Sequence, residues 1–307
     1  MTQFWPKICS SGDFIADRRY AYAQAAEAEG DYEAAIDLLD QTLELAPHWA
    51  AAWFSLGMIR ESQSRRDEAI AAFSRALAVD SGDEFGASLQ LARLGVTPRP
   101  DGAPAGYVRN LFDQYAGRFE AHLCDGLSYR GPTLLADAID RIEKGHFGHV
   151  IDLGCGTGLC APHFRARAER LTGVDLSSAM IKMARSKKLY DRLEMAEIGV
   201  FLDGEPAANA ALILAADVFV YFGDLLPVFC KAIRIIEPGG LFAFTLQSAD
   251  DDYKLGLDMR FAHSRTYVQK VAQISGFEIT FLESAWARHD KGVEVPGLVV
   301  VLRRREK

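Results

Sequence analysis

The chain has 307 residues, of which 49% are hydrophobic and 25% charged, and its formal net charge is -8. The chain is long enough for two domains. Its net negative charge disfavours a nucleic-acid-binding protein, which would carry a basic face. No apolar run reaches the roughly 18 residues that a membrane span requires.

Two further features bear on location and redox state. The first ten residues contain one lysine and no apolar core of signal-peptide length, which predicts a cytoplasmic protein. The cysteines are scattered and none forms a C-x-x-C pair, so the sequence predicts neither a disulfide framework nor a metal site. They are Cys9, Cys124, Cys155, Cys160 and Cys230.

An internal repeat occupies the N-terminal third. Residues 16–47 and 50–81 align with a period of 34 residues. The second copy carries the spaced residues Trp53, Leu56, Gly57, Ala69 and Phe73. This pattern resembles the tetratricopeptide repeat, a helix-turn-helix unit. Small residues at Gly57 and Ala69 predict close packing of two helices.

The repeats predict an all-α domain over residues 1–94. The turns at Gly30-Asp31 and Arg66-Asp67 are expected to separate each helix pair and to cap its second helix. Residues 84–94 predict a cap helix after the two repeats. The domain would bind a protein partner or mediate self-association, or it would serve as a structural array alone.

A proline-rich stretch follows the repeats. Residues 95–106 hold three prolines and three glycines and predict a linker. The second domain is therefore expected to span 107–307, with helices over 107–120 and 131–144. Tyr115 in the first of these helices is a candidate lid over a ligand cleft, or an ordinary packed aromatic residue.

The most informative stretch of the second domain runs from 149 to 158. An apolar run ends there in three alternating glycines, and the next apolar run ends at Asp175. This order, in which a strand, a glycine turn and a helix are followed by a second strand that ends in a carboxylate, is typical of nucleoside-binding proteins. Glycines let the backbone approach the ligand, the first N–H groups of the helix face it, and the carboxylate can bind the ribose hydroxyls.

Strands and helices alternate along this domain, which predicts a Rossmann-like, doubly wound, mostly parallel sheet. The expected strands are 149–153, 171–175, 193–197, 211–216 and 240–246, and the expected helices 159–168, 177–188, 224–236 and 264–275. The last two strands, 276–282 and 297–302, have no helix between them. They must therefore pair as an antiparallel hairpin.

The motif over 152–158, DLGCGTG, resembles the first motif of the class I S-adenosylmethionine-dependent methyltransferases. Its third glycine is spaced differently from that of the dinucleotide motif. Asp175, the Glu-Pro-Gly-Gly turn at 237–240 and the terminal hairpin agree with this family. The resemblance covers 107–304, and together with the repeats the chain is similar to bacterial tetratricopeptide-repeat methyltransferases.

The resemblance implies a cofactor site for S-adenosyl-L-methionine. The glycine loop would contact the methionine part, Asp175 the ribose, and a backbone carbonyl near Ala216 the ammonium group. Leu176 and Met180 would flank the adenine, although core packing explains Met180 equally well. The complete set of cofactor-binding candidates is Tyr115, Asp152, Gly154, Cys155, Gly156, Asp175, Leu176, Met180, Glu197, Ile198 and Ala216.

Two parts of this assignment leave alternatives open. Glu197 at the end of the third strand would accept a hydrogen bond from the adenine amino group, and Glu194 is the competing residue. No metal is expected. The Asn-Pro-Pro-Tyr signature of adenine and glutamine-amide methyltransferases is absent from the sequence, which argues against those acceptors.

The catalytic candidates are Asp217, Tyr221 and His263. Asp217 and Tyr221 would face the methyl group, and His263 or Asp217 would act as the general base for a protonated acceptor. His263 is expected in a loop before the helix at 264–275, where a lone histidine is more often simply solvated. Arg260 and Arg265 would pair with an acceptor carboxylate, with solvent or with the aspartates at 250–252.

Methyl transfer to a small-molecule or peptide acceptor is the leading hypothesis. The first alternative is a non-catalytic interaction or scaffold protein whose nucleoside fold senses the cofactor. The second is a nicotinamide-dependent oxidoreductase, which predicts a parallel sixth strand in place of the terminal hairpin. The sequence identifies neither the acceptor nor the methylated atom.

Overall fold

The computed structural model describes residues 10–120, 123, 126–290 and 292–306. The chain divides into two compact units, Met1–Leu111 and Phe112–Lys307. Cys9, Cys124 and the first nine residues of the predicted repeat domain lie outside the described residues. Within the described part of the chain, no helix is both long and apolar enough to cross a membrane.

The first unit is built from helices, as the repeat predicts. The helices are α1 (Phe14–Glu29), α2 (Tyr32–Leu45), α3 (Ala50–Ser62), α4 (Arg66–Val79) and α5 (Ala87–Arg93). Helix α1 packs with α2, and α3 packs with α4, while α5 follows as the expected cap helix. A Cβ atom added at Gly57 would lie 2.6 Å from the ring of Phe73. The small residue therefore permits the close helix packing that the sequence predicts.

The two predicted turns differ in their caps. Gly30 adopts a φ of 83°, and the Asp31 carboxylate accepts a hydrogen bond from the Ala34 N–H, as expected. The prediction for the second turn was wrong. Helix α4 begins at Arg66 itself, and the turn lies at Ser64, whose φ is 61°. Asp67 is thus in the first helical turn, where its carboxylate interacts favourably with the helix dipole but does not cap the helix.

The predicted linker lies inside the first unit. It leads into α6 (Ala105–Tyr115), and the boundary between the two units falls within this helix. A Cβ atom at Gly106 would lie 2.1 Å from the carbonyl oxygen of Gly82, and the Asn110 side chain donates to the Glu84 carbonyl at 3.0 Å. These contacts attach the start of α6 to the repeats.

The second unit contains the expected sheet. Its strands are β1 (Phe147–Leu153), β2 (Ala168–Asp175), β3 (Arg192–Met195), β4 (Ala210–Ala215), β5 (Ile236–Gln247), β8 (Phe277–Asp290) and β9 (Val293–Arg304). Their order is β3-β2-β1-β4-β5-β9-β8. Strands β1 to β5 pair in parallel, and β9 pairs antiparallel with both β5 and β8. The terminal hairpin is confirmed, and it removes the parallel sixth strand of the oxidoreductase hypothesis.

The helices of this unit are α7 (Gly131–Asp140), α8 (Ala161–Phe164), α9 (Ser178–Ser186), α10 (Ile198–Gly204), α11 (Leu226–Ile235) and α12 (Arg265–Ser275). The helix predicted over 159–168 is shorter, because β2 already begins at Ala168. Helix α10 and a small antiparallel pair, β6 (Tyr253–Leu255) and β7 (Phe261–His263), were not predicted. Each is too short to give a clear periodic pattern.

Apolar residues cover both faces of the sheet. Ile151, Ile213 and Phe244 belong to the core on one face, whereas Val150 and Leu212 belong to the core on the other. Neighbouring residues along β1 thus point to opposite faces, as the strand repeat requires. Because both faces are covered, we expect a ligand to bind at the carboxyl ends of the parallel strands, as in other open α/β sheets.

Candidate active site

The glycine loop that follows β1 has a backbone that requires glycine. Gly154, Gly156 and Gly158 have φ values of 63°, 54° and 86°, a region that side-chain-bearing residues rarely adopt. A Cβ atom at Gly154 would lie 2.6 Å from a methyl carbon of Val218. The loop therefore packs directly against the segment after β4. Its narrow backbone forms a cradle for a ligand.

Asp175 ends β2 and is tied to this loop. Its carboxylate accepts hydrogen bonds from the N–H groups of Gly156 and Ser177, at 2.9 and 2.8 Å. Burial raises the pKa of this carboxyl, and the two backbone bonds oppose that shift. Ser177 is the N-cap of α9, accepting from the Met180 N–H, so Asp175 is not needed as the cap.

Asp152 is the most deeply buried carboxylate of the site, with 1% exposure. One oxygen accepts a hydrogen bond from the Tyr190 hydroxyl at 2.6 Å, and the other has no partner among the described residues. Burial raises the pKa of Asp152 to about 7. Leaving a buried acceptor unpaired costs about 1–3 kcal/mol. The unpaired oxygen therefore fits a ligand that brings a donor, such as an ammonium group.

Two residues, one beside Asp152 and one beside the start of α9, were not predicted. Tyr190 follows α9 and would touch a Cβ atom at Gly173 or at Gly158, at 2.8 and 3.0 Å. Asp113 accepts hydrogen bonds from the Ser177 hydroxyl and the Ala179 N–H, at 2.5 and 3.1 Å. Neither belongs to a motif, and each is far in sequence from its partner. Only the folded chain brings them to the site.

The remaining cofactor candidates lie in the glycine loop and after the ends of β2 and β3. Cys155 is buried beside Gly173, and burial raises the pKa of its thiol well above the ordinary value, so it packs as an apolar residue. Leu176 is half-buried and Met180 is fully buried.

At the start of α10, Glu197 is exposed and Ile198 is buried. The competing residue, Glu194, forms an ion pair with Arg192 on the edge strand. That pairing favours Glu197 as the carboxylate left open to a ligand.

Asp217 follows β4 and Ala216 in a strained backbone conformation, with a φ of 58°. Its N–H donates to the Thr245 hydroxyl at 2.8 Å. Its carboxylate lies 2.8 Å from the Arg288 guanidinium and 3.7 Å from that of Arg260. Each of its two oxygens thus faces a guanidinium group. The structure therefore gives no support to Asp217 as the general base.

Aromatic residues adjoin the glycine loop. We define the aromatic cluster as Phe112, Tyr115, Phe119 and Tyr221. Their rings meet edge to face, with centroids 5.3 to 6.1 Å apart. The ring of Phe119 would lie 3.8 Å from a Cβ atom at Gly156. Tyr115 and Tyr221 thus lie in a cluster that reaches the loop, and burial raises the pKa of both hydroxyls.

The expected position of His263 was wrong. It lies in strand β7, fully buried, and not in a loop. One ring nitrogen lies 3.0 Å from the Gly223 carbonyl oxygen, and the ring stacks on Tyr267 at 5.8 Å. Burial lowers the pKa of His263 to about 4, because the charged imidazole loses its hydration. The residue is a neutral packing histidine with no access to solvent, which does not suit a general base.

The two predicted arginines also separate. Arg260 joins Asp217, whereas Arg265 donates to the Leu282 carbonyl at 3.0 Å, away from that carboxylate. Arg288, which the sequence reading missed, takes the second place beside Asp217. It comes from near the C-terminal end of β8, and its position could not be inferred because that strand extends eight residues beyond the predicted end at 282.

The chain was compared with known proteins. The profile of the methyltransferase domain matches residues 127–290, just over half of the chain, and tetratricopeptide-repeat profiles match 16–59 and 50–83. Human methyltransferase-like protein 27 is 31% identical over 159 residues, which cover 48% of this chain and 62% of that protein. Malonyl-[acyl-carrier protein] O-methyltransferase of Salmonella typhimurium is 33% identical over 112 residues, 36% of this chain and 43% of the relative.

A solved structure shows the same fold. One chain of the complex between the Haloferax volcanii Trm112 methyltransferase activator and its candidate methyltransferase aligns with a TM-score of 0.53 and 16% identity. The alignment covers 64% of this chain and 98% of that one. Together these similarities confirm the predicted fold, the repeats and the class of S-adenosylmethionine-dependent methyltransferase for the domain. The chain belongs to the methyltransferase-domain family and carries tetratricopeptide repeats ahead of that domain.

Proposed function

We propose that this chain transfers a methyl group from S-adenosylmethionine to a small-molecule or peptide acceptor. The observation that carries the proposal is the buried Asp152 oxygen that has no hydrogen-bond partner within the described part of the chain, next to a loop in which three glycines have positive φ. A ligand with an amino group and a long, narrow body fits both features. When bound, the cofactor would supply a methyl group on a sulfonium sulfur. The leaving group is then a neutral thioether, which departs readily.

We assign the parts of the cofactor to this chain as follows. Asp152 holds the ammonium group, together with a backbone carbonyl near Ala216. Asp175 binds the ribose hydroxyls from the end of β2. Leu176 and Ile198 flank the adenine, and Glu197 accepts from its amino group. Met180 is fully buried, and we assign it to core packing.

The protein's contribution to the reaction is positioning. The aromatic cluster excludes water from the glycine loop, and Tyr221 contributes a buried hydroxyl near the acceptor. Holding an acceptor in line with the methyl group supplies much of the rate enhancement without any group of the protein changing covalently. The matched relative is named for O-methylation of a malonyl group. That name suggests an oxygen atom as the acceptor here.

Calorimetric titration of the full chain with S-adenosylmethionine and S-adenosylhomocysteine tests the proposal. We expect binding of both by the wild type. Asp175→Asn, which preserves shape and removes charge, should weaken binding roughly tenfold or more, because hydrogen bonds to a charged group contribute about 1.5–3 kcal/mol. The control is Asp203→Asn, whose carboxylate pairs with Lys231 on the surface of α10 and should leave binding unchanged. A wild-type chain that binds neither compound would refute the proposal.

The repeats favour a second, additional role in protein binding. Tetratricopeptide repeats suggest an interaction, and Tyr22 on α1 is half exposed. The partner is either another protein or a second copy of this chain. Sedimentation velocity over a range of concentrations separates these, since a monomer at every concentration removes self-association. A chain that binds the cofactor but transfers no methyl group to any acceptor would favour the non-catalytic alternative.

A further inference from the structure

The Tyr190 ring lies between the glycine loop and β2. One edge of the ring would be 3.0 Å from a Cβ atom at Gly158, and the other edge 2.8 Å from one at Gly173. A larger residue at either position would displace the ring, which therefore fills space that the two glycines leave open. The ring also packs against one of the two cores of the sheet. The loop and the strand together set the direction of its hydroxyl group.

The backbone beside Tyr190 is anchored as well. The Asp191 N–H donates to the Leu171 carbonyl at 2.9 Å, and the Leu171 N–H donates to the Asp191 carboxylate at 2.7 Å. Arg165 pairs with the same carboxylate at 2.6 Å. These contacts fix the turn after α9 to the middle of β2. A side chain whose ring and backbone are both held is suited to orient a neighbouring group.

The neighbouring group is the buried carboxylate of Asp152, whose two oxygens differ. Oδ2 accepts a hydrogen bond from the Tyr190 hydroxyl at 2.6 Å, whereas Oδ1 has no hydrogen-bond partner in the part of the chain that the structure describes. A phenol is a donor at neutral pH, and burial raises the pKa of Tyr190 further. Oδ2 is therefore occupied, and Oδ1 is the oxygen that remains for a ligand.

The charge of Asp152 also depends on this hydrogen bond. Burial raises the pKa of Asp152 to about 7, and the bond from Tyr190 opposes that shift. A donor favours the charged form of a carboxyl group. If the hydroxyl were removed, a larger fraction of the chains would carry a protonated Asp152 at neutral pH. A neutral acid attracts an ammonium group much less than a carboxylate does.

Other groups that face Asp152 do not replace the hydroxyl. Asp175, at the end of β2, raises the pKa of Asp152 through its charge. Burial raises the pKa values of Cys155 in the glycine loop, Cys160 before α8 and Tyr129 before α7, and the Asp152 charge adds to each shift. These three groups are neutral near pH 7. The described donor to the carboxylate is Tyr190.

We propose that Tyr190 is the positioning residue of the site for the cofactor's amino group. Its hydroxyl holds Oδ2 of Asp152 and thereby presents Oδ1, as part of a charged carboxylate, to the ammonium group. This inference rests on the proposed function, in which Asp152 binds that group. It adds the residue that keeps Asp152 oriented and charged. Tyr190 acts through Asp152 and does not touch the ligand.

Tyr190→Phe tests the inference, because it removes the hydroxyl and keeps the ring between the two glycines. The full chain is titrated calorimetrically with S-adenosylhomocysteine at a series of pH values. We expect the affinity of the variant at neutral pH to fall about tenfold, since hydrogen bonds to charged groups are the stronger ones. The rise of affinity with pH should move upward by about one pH unit, because Asp152 loses the donor that favours its charged form.

Two further measurements separate this role from simple packing. The first uses the deaminated analogue of S-adenosylhomocysteine, which keeps the carboxylate and lacks the amino group. The wild type and Tyr190→Phe should bind this analogue equally well. The second is a double variant: in an Asp152→Asn background, Tyr190→Phe should have little further effect on the affinity for S-adenosylhomocysteine, since both changes remove the same interaction.

Tyr267→Phe is the matched control. The Tyr267 hydroxyl donates to the Asp224 carboxylate at 2.7 Å, so the second unit contains another hydrogen bond between a tyrosine and an aspartate. Its loss should leave the cofactor affinity and its pH dependence as in the wild type.

The possible results distinguish the two proposals. An unchanged affinity and pH dependence in Tyr190→Phe overturns the inference and leaves cofactor binding intact. An equal loss for S-adenosylhomocysteine and its deaminated analogue also overturns it, because the residue would then support the loop and not the amino-group site. A wild-type chain that does not bind S-adenosylhomocysteine refutes the proposed function itself.

Discussion

The proposed cofactor side and the proposed acceptor side of the second unit are assembled in different ways. The cofactor side comes from two short segments, the glycine loop after β1 and the end of β2, whose key residues bond across 19 positions of the chain. On the acceptor side, Asp217 and Arg288 are 71 positions apart. Local backbone geometry therefore determines the first side, and long-range packing determines the second.

This difference has a chemical counterpart. The cofactor side holds buried acidic groups, Asp152 and Asp175, whose pKa values are raised by burial. The acceptor side holds two arginines around one carboxylate. None of the charged residues named here belongs to both sides. Perturbing one side should therefore leave the other side working, and the predictions below test that independence.

The largest effect is expected for Gly154→Ala. The added Cβ atom would lie 2.6 Å from Val218, at a backbone φ of 63°. Strain of this kind costs about 1–3 kcal/mol in addition to the clash. We expect the calorimetric affinity for S-adenosylhomocysteine to fall about 100-fold, with a lower Tm.

Gly148→Ala is the control for that substitution, because Gly148 lies in β1, the strand that leads into the glycine loop, with nothing within 4 Å of the new atom. Equal losses in both variants would mean that the glycine loop has no special role.

An intermediate effect concerns pH. Ionised Asp152 is the form that would bind an ammonium group, and its pKa is about 7 in the folded chain. Cofactor affinity should therefore rise as the pH increases from 6 to 8, by up to about tenfold, because fewer molecules must first lose the proton. Calorimetry at a series of pH values measures this. Asp152→Asn should bind weakly at every pH, and a wild-type affinity that stays constant over the range would contradict the assignment.

The same raised pKa has a consequence for stability. Between about pH 4 and pH 7 the folded chain retains a proton on Asp152 that the unfolded chain releases. Protonated Asp152 therefore adds to the free energy of unfolding below that window. This contribution is lost as the pH rises through the window. Denaturant titrations of the wild type and of Asp152→Asn should differ in slope over this range.

The smallest effect on the cofactor is expected for Asp217→Asn. The substitution leaves two guanidinium groups without their shared carboxylate, so the free energy of unfolding should fall by about 1–3 kcal/mol, less than for a fully buried pair. Affinity for S-adenosylhomocysteine should stay within about twofold, because the ion pair belongs to the acceptor side. Urea denaturation and calorimetry on the same preparation measure both quantities. A large loss of cofactor affinity would show that the two sides are coupled.

Much of the fold could be predicted because it depends on local patterns. Alternating apolar residues in β1 place Val150 and Ile151 on opposite faces, and three closely spaced glycines indicate the loop. The period of 34 residues indicates the repeats. The helix at 159–168 was overestimated because helical spacing alone does not show where a neighbouring strand begins.

The acceptor side was harder to predict for the opposite reason. His263 was expected in a loop because β6 and β7 are only three residues each and carry no clear alternation. Asp217 was expected as a base because its sequence neighbours do not reveal Arg288. Tyr190 and Asp113 escaped notice because each acts on a partner from another element.

The sequence by itself determined the family, the α/β sheet with its terminal hairpin, the helical repeats and the segments that form the cofactor side. These follow from short-range periodicity and from backbone conformations that only glycine adopts readily. Tertiary structure alone decided that Asp152 is buried beside Tyr190, that His263 is enclosed, and that Arg260 and Arg288 meet at Asp217. Burial and ion pairing depend on which distant residues come together, and only the packed chain establishes those neighbours.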